Sequence, residues 1–511
     1  MLRDNPEIIA DAVDRPADRT LFRIVVIAAA IIGIAAAIAY ARLDLTLSHY
    51  DARAHLVVAR RVLDSLTPGW RQLGALWLPL PHLFNLVPVQ WDWAYRSGGV
   101  AVAISVISLA YGLGALARFL RRHGAATWTS VVVPLGILAN PSVLYLQSTP
   151  MTEPLFIGVA LAAVDRVDVW IQHAGRRDMT RAGCWLAALA LVRYEGWLVT
   201  AGLLAITAIA IDRPRHRSLA ALATYPAAAM ILFLCLSRAA TGSWFVTSGF
   251  FVPENPSLNR PLAALDQIVT GLRDLAGTAI PVAGLVGAVM CVRLLMRRDT
   301  AALPLALVLP ALLPLSAFTA GHPYRVRYMV LLIAASWALA GVGVGRLTGF
   351  RQRIPVVVLV MVALIERPPF ASGAPMVVEA QRERPQQRER QAVTRYLAQA
   401  YDGTPILASM GSLGHYMQET STIGLQLRQF LHEGNGDLWI GALERPQSHV
   451  RWILIEERAE GGDVLAGRAR EDPAFLDGFT RVAAGGGVAL YRSNRGPTGP
   501  TGPTGPRTDK R

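Results

Sequence analysis

The sequence predicts a mainly α-helical membrane protein, a polytopic bundle of about 11 transmembrane helices followed by a small C-terminal α/β domain outside the membrane. Three observations predict this class. The 511 residues are 53% hydrophobic and only 17% charged, which is too apolar for an ordinary soluble domain. Apolar runs of membrane length recur from residue 21 to residue 366. The chain from about residue 370 is charged and lacks such runs.

The apolar runs define the spans in chain order, since a helix needs about 20 apolar residues to cross a bilayer. The first run, 21–43, is too long for a removable signal peptide and has no cleavage site of small residues, which predicts an anchor. The other runs lie at 98–117, 126–147, 151–171, 181–193, 196–211, 219–239, 278–296, 301–320, 328–346 and 354–366. Several of the shorter runs adjoin one another, and the predicted number is therefore about eleven.

Arginine clusters predict the orientation of the bundle, because basic residues favour the cytoplasmic side of short loops. Clusters occupy alternate connections, around residues 118–122, 176–181, 213–217, 293–298 and 346–353. This pattern places residues 1–20 in the cytoplasm as an N-terminal tail. It places the first long loop, 44–97, and the C-terminal region outside. The net charge of +14 comes mostly from such clusters, which favours topology signals over a nucleic-acid surface.

The region 370–493 has the composition of a separate α/β domain. Residues 379–400 predict a charged amphipathic helix, and short β-like runs follow at 405–409, 452–456 and 488–491. Residues 494–511 contain a repeat of Gly-Pro-Thr. Fewer than four triplets cannot hold a collagen triple helix, and we expect an extended, disordered tail.

The loop 44–97 carries the first candidate for a functional site. Asp51 and His55 lie one turn apart on one face of a predicted helix. Asp51 is near the helix start, where the helix dipole favours an anion. The apolar and basic residues that follow are typical of an interfacial helix lying on a membrane surface. Asp51 is therefore either a catalytic carboxylate at the membrane surface or an acid that stabilises a helix start.

Three further positions carry charge at span ends that are predicted to face outside, where ionisable residues are functional candidates. They are Glu153 at the start of the fourth span, Arg193 within Arg193-Tyr194-Glu195-Gly196, and the segment with His322, Arg325, Arg327 and Tyr328 before the tenth span.

Each of these positions has a structural alternative. Thr152 predicts a helix cap with Glu153 in the first turn. Arg193 and Glu195 form a self-neutralising pair in the alternative interpretation. Arg325 and Arg327 violate the positive-inside rule, which predicts an offsetting anion; a phosphate suits a pair of arginines, and an acidic loop residue such as Glu254 or Asp92 is the alternative.

Together these residues place acids and arginines at one end of the bundle. Transporters carry ionisable residues and broken helices near the middle of the membrane, whereas an enzyme that acts on a lipid phosphate needs them at the edge. The pattern favours the enzyme. A lipid-linked-sugar flippase or other transporter, and a non-catalytic membrane assembly protein, are the alternatives.

The ordered motifs resemble those of the GT-C superfamily of integral-membrane glycosyltransferases, in particular the bacterial branch of protein-mannosyltransferases and aminoarabinose transferases. The resemblance covers nearly all of residues 20–493. Its parts are Asp51 after the first span, the run Ala59-Arg60-Arg61-Val62-Leu63, the acid in Thr152-Glu153-Pro154, the turn Leu191-Val192-Arg193-Tyr194-Glu195-Gly196, the pair Arg327-Tyr328, and the final α/β domain. Many relatives carry Asp-Glu in the first loop, whereas Ala52 follows Asp51 here; Asp44 is an alternative base.

The resemblance implies an inverting glycosyltransferase of a bacterial plasma (inner) membrane that moves a sugar from a polyprenyl-phosphate carrier to a lipid, glycan or protein acceptor on the outer face. It implies that Asp51 is the general base and that Arg193, Arg325 and Arg327 bind the donor phosphate. It implies that the substrates are oriented by His55, Glu153, Tyr328 and His322. The resemblance makes no cofactor certain and leaves a divalent metal open, and the absence of an acid directly after Asp51 weakens any inference about metal binding.

Overall fold

The computed structural model describes residues 16–74, 76–244, 251–252, 254–347, 350–459 and 462–494. Residues 1–15 of the predicted N-terminal tail and residues 495–511 of the predicted C-terminal tail lie outside the described residues. The described chain forms a helical bundle up to residue 366 and then a unit with a five-stranded sheet. The protein is therefore a mainly helical membrane protein with a small C-terminal α/β unit, as the sequence predicts.

The helices before residue 370 follow the apolar runs and the first long loop, except for Pro261–Ala276, which lies between the runs 219–239 and 278–296 and was not predicted. In chain order they are α1 (Pro16–Arg42), α2 (Tyr50–Arg60), α3 (Leu80–Asn85), α4 (Asp92–Ser97), α5 (Gly99–Arg122), α6 (Thr127–Ala139), α7 (Pro141–Leu146), α8 (Glu153–His173), α9 (Arg176–Val192), α10 (Glu195–Ala210), α11 (His216–Thr241), α12 (Pro261–Ala276), α13 (Ala279–Met296), α14 (Leu312–Thr319), α15 (Val330–Gly345) and α16 (Phe350–Glu366). A 3-10 segment with two prolines, Thr300–Ala311, leads into α14.

Every predicted span coincides with helical backbone. Within the described residues, six helical segments are long and apolar enough to cross a membrane: Pro16–Arg42, Gly99–Arg122, Arg213–Thr241, Ala279–Met296, Thr300–Thr319 and Val326–Gly345. Two shorter apolar helices, α6 and α10, fall below that length. The protein is thus polytopic, and the number of eleven spans stays a prediction.

A buried ion cluster inside α8 is a feature that the sequence analysis missed. Asp165 and Asp168 are both fully buried, at the end of the bundle opposite Asp51. Arg118 and Arg122 of α5 donate to Asp165 at 2.6 and 2.8 Å, and Arg122 and His123 contact Asp168 at 2.8 and 3.0 Å. Each acid is thus matched by cations from the neighbouring helix, which favours a structural role in joining α5 to α8.

Replacement of Asp165 by Asn is expected to destabilise the bundle by about 3 kcal/mol, because removal of one partner leaves buried guanidinium groups without their counter-charge. The measurement is thermal unfolding of the purified protein in detergent. The control is Asp212→Asn, since Asp212 forms a largely exposed pair with Arg298 at 3.4 Å and should leave Tm unchanged. Equal Tm values for both variants would contradict a structural role of the cluster.

The C-terminal unit begins with α17 (Pro375–Ala400) and contains α18 (Met410–Glu419), α19 (Asp437–Glu444), α20 (Pro446–His449) and α21 (Val464–Glu471). Its strands are β1 (Ile406–Ala408), β2 (Phe430–Leu431), β3 (Trp452–Glu456), β4 (Phe479–Gly485) and β5 (Val488–Ser493). The sheet order is β2-β1-β3-β5-β4, with β1 parallel to its neighbours and the last two pairs antiparallel. The three predicted strands are present, and β2 and β4 were missed.

Helix α2 is buried, and the prediction of a helix lying on the membrane surface is wrong. Nine of its 11 residues are buried. One apolar face, with Leu56 and Val57, packs against residues of the C-terminal sheet unit such as Leu413 and Tyr416. Polar contacts join the same two parts of the chain, because Asp64 accepts hydrogen bonds from the backbone N–H groups of residues 427 and 428 at 3.1 and 3.2 Å. The C-terminal unit therefore covers the first loop.

Candidate functional site

Asp51 occupies the first turn of α2 and is only 5% exposed. The residue before the helix, His49, accepts a hydrogen bond from the Asp51 backbone N–H through its Nδ1 atom at 3.1 Å. His49 thus caps α2 so that Asp51 lies in the first turn. The N–H groups of this turn have no partner within the helix and favour the negative charge of a carboxylate. The local sequence thus places a carboxylate in a largely buried position at a helix start.

Arg327 donates a hydrogen bond from Nη1 to Oδ2 of Asp51. The two residues are 276 positions apart in the sequence, and the fold brings them together at the start of α2 and just before α15. The Nε atom of Arg327 is buried and has no hydrogen-bond partner among the described residues. The guanidinium therefore holds the acid with one edge and keeps a donor available on another.

Glu379 supplies a second carboxylate that the sequence analysis did not find. It lies in α17, and His49 Nε2 contacts its Oε1 atom at 3.3 Å. Burial alone would raise the pKa of Glu379, but the hydrogen bond with His49 and the charges of Arg327 and Arg325 together lower it below 4.5. Ala52 takes the place of a second acid directly after Asp51, and Glu379 of the C-terminal unit contacts His49, two residues before Asp51.

Glu379 should make the stability of the protein depend on pH. A carboxyl group with a lowered folded pKa contributes stability above its unfolded value, here 4.5, and loses it as the pH falls through the folded pKa. We therefore expect the gap in Tm between wild type and Glu379→Gln to shrink as the pH falls from about 6 to about 3. Glu389→Gln is the matched control, an exposed acid on the same helix. A gap that stays constant over this range would contradict the ionic role.

Arg193 forms the centre of a second cluster. It donates to Glu153 Oε1 at 2.8 Å, to Thr152 Oγ1 at 3.0 Å and to Glu195 Oε1 at 2.7 Å. The predicted pair with Glu195 is present, and Glu153 joins it. Oε2 of Glu153 is buried without a hydrogen-bond partner among the described residues. Two carboxylates therefore hold this arginine, and one oxygen remains able to accept a proton donor.

His55 lies between the two clusters in a group of aromatic rings. Its ring centroid is 4.1 Å from that of Trp77 and 5.2 Å from that of His82. Burial lowers the pKa of His55 well below its usual range, and the charges of His82 and Arg193 lower it further. Burial likewise lowers the pKa of His82 to about 3. Both rings are therefore neutral at pH 7.

These neutral rings present polar atoms as well as aromatic faces. His55 Nδ1 and His82 Nε2 are buried and have no hydrogen-bond partner in the part of the chain that the structure describes. Buried polar atoms normally find a partner, and an exception calls for an explanation. A ligand with hydroxyl groups would satisfy both atoms while its apolar face contacts the Trp77 ring.

Tyr328 connects the arginine clusters. It lies within electrostatic range of both Arg193 and Arg327, and its ring centroid is 5.8 Å from the Arg327 guanidinium carbon. The Tyr328 hydroxyl is 3.4 Å from His322 Nε2. Arg325 is half-buried, and its charge acts on Glu379. All eight predicted site residues therefore lie in or beside two neighbouring clusters at one end of the bundle, one around Asp51 and one around Arg193.

The residues that sequence reasoning missed are His49, Glu379, Trp77 and His82. His49 caps α2 in the structure, but histidine is not among the residues favoured at helix N-caps, and the sequence therefore carries no signal for it. Glu379 follows three apolar residues of a charged helix and carried no signal that separated it from its neighbours. Among the described residues, no group of three or more His, Cys, Asp or Glu side chains is arranged to hold a metal ion.

Comparison with known proteins supports the class of fold that this geometry indicates. No protein-family profile matches the chain, and no curated protein sequence matches it. Solved structures do match it, and the chain shares their fold.

Two of the matching structures are of ArnT from Cupriavidus metallidurans. The apo structure matches with a TM-score of 0.57 at 15% identity, over 90% of this chain and 97% of that chain. The structure of ArnT bound to undecaprenyl phosphate matches with a TM-score of 0.52 at 14% identity, over 94% of this chain and 98% of that chain. At these identities the likeness establishes the fold.

Proposed function

We propose that this protein is an inverting glycosyltransferase that moves a sugar from a polyprenyl-phosphate carrier to an acceptor hydroxyl at the outer face of a bacterial inner membrane. One observation carries the proposal: the buried carboxylate of Asp51, at a helix start, contacts an arginine that keeps a free buried donor. The fold adds support, since ArnT with the same fold has been solved with undecaprenyl phosphate bound.

The reaction follows from these groups. The acceptor oxygen attacks C1 of the sugar and forms the new glycosidic bond, while its proton passes to Asp51. The bond between C1 and the phosphate oxygen breaks, and the lipid phosphate leaves with the electron pair. Attack from the face opposite to the leaving group inverts the anomeric carbon. A positioned general base contributes roughly 10²–10⁴-fold to such a step.

Arg327 has two partners in this mechanism. In the structure it contacts Asp51, and such an ion pair weakens a carboxylate as a base. The leaving phosphate carries more negative charge and offers several oxygens to an arginine fork. Binding of the donor therefore draws Arg327 toward the phosphate and leaves Asp51 able to accept a proton. Arg325 adds positive charge on the same side.

The second cluster orients the substrates. Arg193 is held by Glu153 and Glu195, and its charge faces the aromatic group around His55. We assign the aromatic faces and unpaired ring nitrogens of this group to the sugar, and Glu153 Oε2 to a sugar or acceptor hydroxyl. Tyr328 and His322 stand between the sugar and the phosphate in this assignment. The partners are thus a polyprenyl-phosphate sugar and a lipid, glycan or protein acceptor.

The direct test is incubation of the purified protein with labelled polyprenyl-phosphate sugars, with release of free polyprenyl phosphate as the readout. Wild type is expected to release the lipid phosphate and to transfer the label to an acceptor with inverted stereochemistry. Movement of the lipid across vesicle membranes with no release of lipid phosphate would instead indicate a flippase and would contradict the proposal.

A further inference from the structure

The guanidinium group of Arg61 is poorly paired, although it lies between the first loop and the C-terminal unit. Its Nη1 atom donates to the sulfur of Met410 at 2.8 Å, and its Nη2 atom donates to the backbone carbonyl of Leu73 at 3.4 Å. A thioether sulfur is a weak acceptor, and the second contact is long. The Nε atom is buried and has no hydrogen-bond partner among the described residues. This group therefore has donors that the protein does not use.

The preceding residue, Arg60, is well paired by comparison. It donates to Asp64 at 2.9 Å, to Asp92 at 2.8 Å and to the backbone carbonyl of Val89 at 3.2 Å. Two carboxylates thus neutralise Arg60 within the same loop. The weak contacts of Arg61 are therefore a property of that position, and they are not shared by its neighbour.

Glu433 is the acid whose charge acts on Arg61. Its carboxylate accepts hydrogen bonds from the Ser409 hydroxyl and from the backbone N–H of Met410, the latter at 2.7 Å. Burial lowers the pKa of Arg61 to about 10, and the charge of Glu433 offsets this effect only in part. The positive charge of Arg61 is thus incompletely compensated, which favours the binding of an anion beside it.

Gln72 contributes a buried acceptor near Arg61. Its side chain is only 1% exposed. The amide nitrogen donates to the backbone carbonyls of Thr67 and Gly434, each at 2.8 Å. The Oε1 atom has no hydrogen-bond partner in the described part of the chain. Gln72 is therefore held in place by its nitrogen and presents a carbonyl oxygen that a ligand can use.

His432 contributes a buried donor. Its Nδ1 atom accepts a hydrogen bond from the backbone N–H of Gly434 at 3.1 Å. Burial, together with the charge of Arg61, lowers the pKa of His432 to about 3, and the ring is neutral at pH 7. A neutral ring that accepts at Nδ1 carries its hydrogen on Nε2. This Nε2–H group is buried and also lacks a partner among the residues that the structure describes.

Gly434 keeps a small space open between these groups. A Cβ atom at this position would lie 2.5 Å from Gln72 Oε1 and 2.8 Å from His432 Cε1. Arg61 borders the same region, because its Nη2 atom contacts the residue that follows Gln72 and its charge acts on His432. Arg61 and Gly434 are half-buried and Glu433 is exposed, so the region borders the surface.

The site lies at the opposite end of α2 from Asp51. Ten residues of helix separate Asp51 from Arg61, which corresponds to roughly 15 Å. The charge of Arg61 also acts on His82, a member of the aromatic group beside His55. An extended acceptor whose reactive hydroxyl lies at Asp51 therefore reaches Arg61 along the aromatic group.

We propose that Arg61, Gln72 and His432 bind an acidic saccharide acceptor, through a carboxylate or phosphate remote from the hydroxyl that reacts. This inference rests on the proposed function, since it names the class of acceptor for the same reaction. The anion pairs with Arg61 and replaces the weak contact with the Met410 sulfur. A single hydroxyl of the saccharide accepts from His432 Nε2 and donates to Gln72 Oε1. A peptide group donates and accepts through separate atoms, which suits this pair less well.

The test measures binding of three trisaccharides to the full-length protein in detergent by titration calorimetry: trigalacturonic acid, phosphorylated maltotriose and neutral maltotriose. At least one acidic trisaccharide is expected to bind roughly 10-fold or more tightly than maltotriose. Arg61→Gln should weaken its binding by roughly 10- to 100-fold, because a hydrogen bond to a charged group is lost. The control is Arg71→Gln, an exposed arginine next to Gln72, and its affinity should equal that of wild type.

Two further variants separate binding from a structural role. Arg61→Gln should have a Tm equal to or above that of wild type, whereas Arg60→Gln should have a lower Tm because it leaves buried Asp64 without its partner. Gly434→Ala keeps the charge of Arg61 but fills the space between Gln72 and His432. It should weaken binding of the acidic trisaccharide by roughly 10-fold, since one hydroxyl loses its hydrogen bonds.

Four results would overturn the proposal. They are no binding of either acidic trisaccharide, equal binding of maltotriose, equal binding of the acidic peptide tri-aspartate, and a loss of Tm in Arg61→Gln as large as that in Arg60→Gln. The third result would indicate a peptide acceptor, and the fourth a structural role for Arg61. The binding assay contains no donor, and its outcome is therefore independent of whether the protein releases polyprenyl phosphate, which tests the proposed function.

Discussion

Replacing Asp51 by Asn is expected to lower the rate of sugar transfer by roughly 10²–10⁴-fold while the protein stays folded. The amide keeps the shape of the side chain and can still accept a hydrogen bond from Arg327, but it cannot take a proton from the acceptor. The measurement is the release of polyprenyl phosphate from a labelled polyprenyl-phosphate sugar, with Tm recorded for each preparation. Normal turnover by this variant would remove Asp51 from the mechanism.

Asp44→Asn is the matched control for this experiment. Asp44 belongs to the same loop and is the alternative base, but it is exposed and has a backbone φ of 54°. Asn tolerates this left-handed conformation, which makes the substitution structurally mild. We expect turnover equal to that of wild type. A loss of roughly 10²–10⁴-fold in Asp44→Asn, combined with normal turnover of Asp51→Asn, would transfer the role of base to Asp44.

Replacing Arg327 by Gln is expected to lower turnover by roughly 10²–10³-fold, since the charge that develops on the leaving phosphate loses its nearest donor. The variant should also bind the product, free polyprenyl phosphate, roughly 10- to 100-fold more weakly, because a hydrogen bond to a charged group is lost. Asp51→Asn should bind this product at least as well as wild type. The two measurements together separate the phosphate-binding role from the role of the base.

The control for Arg327 is Arg260→Gln, which removes an exposed arginine that directly precedes α12. Turnover and product affinity should match those of wild type. If Arg327→Gln reduced turnover but left the affinity for polyprenyl phosphate unchanged, Arg327 would act only by positioning Asp51. If Arg327→Lys bound polyprenyl phosphate as well as wild type, the positive charge of Arg327 would matter more than the planar shape of its guanidinium group.

Hydropathy was enough to find the helical segments that coincide with apolar runs, because a bilayer requires long apolar runs whatever packs against them. Helix α12 (Pro261–Ala276) was missed because it lies between such runs. The same patterns were poor guides to the C-terminal sheet. Strand β2 has only two residues, and β4 (Phe479–Gly485) is partly exposed with alanines and a glycine, which carry little strand signal. Strand β3, with five buried residues, was found without difficulty.

The residues of the candidate site also differ in how readily the sequence revealed them. Charged residues beside apolar runs, such as Asp51 and Arg327, stood out because a charge near a membrane has a high energetic cost. Glu379 did not stand out because it lies in a helix of many charged residues, and only the fold shows which one reaches His49. Asp165 and Asp168 were overlooked inside a span, since their counter-charges come from another helix.

The burial of α2 beneath the C-terminal unit also has a consequence for biosynthesis. His49 emerges from the ribosome 330 residues before its partner Glu379. At synthesis rates of about 5–20 residues per second, roughly 15 to 65 s pass between synthesis of the first loop and synthesis of the C-terminal unit that packs against it. During this interval Leu56 and Val57 are not buried by that unit. The growing chain is therefore exposed to proteolysis and aggregation at the loop that contains Asp51, and a chaperone that shields this loop would raise the yield of folded protein.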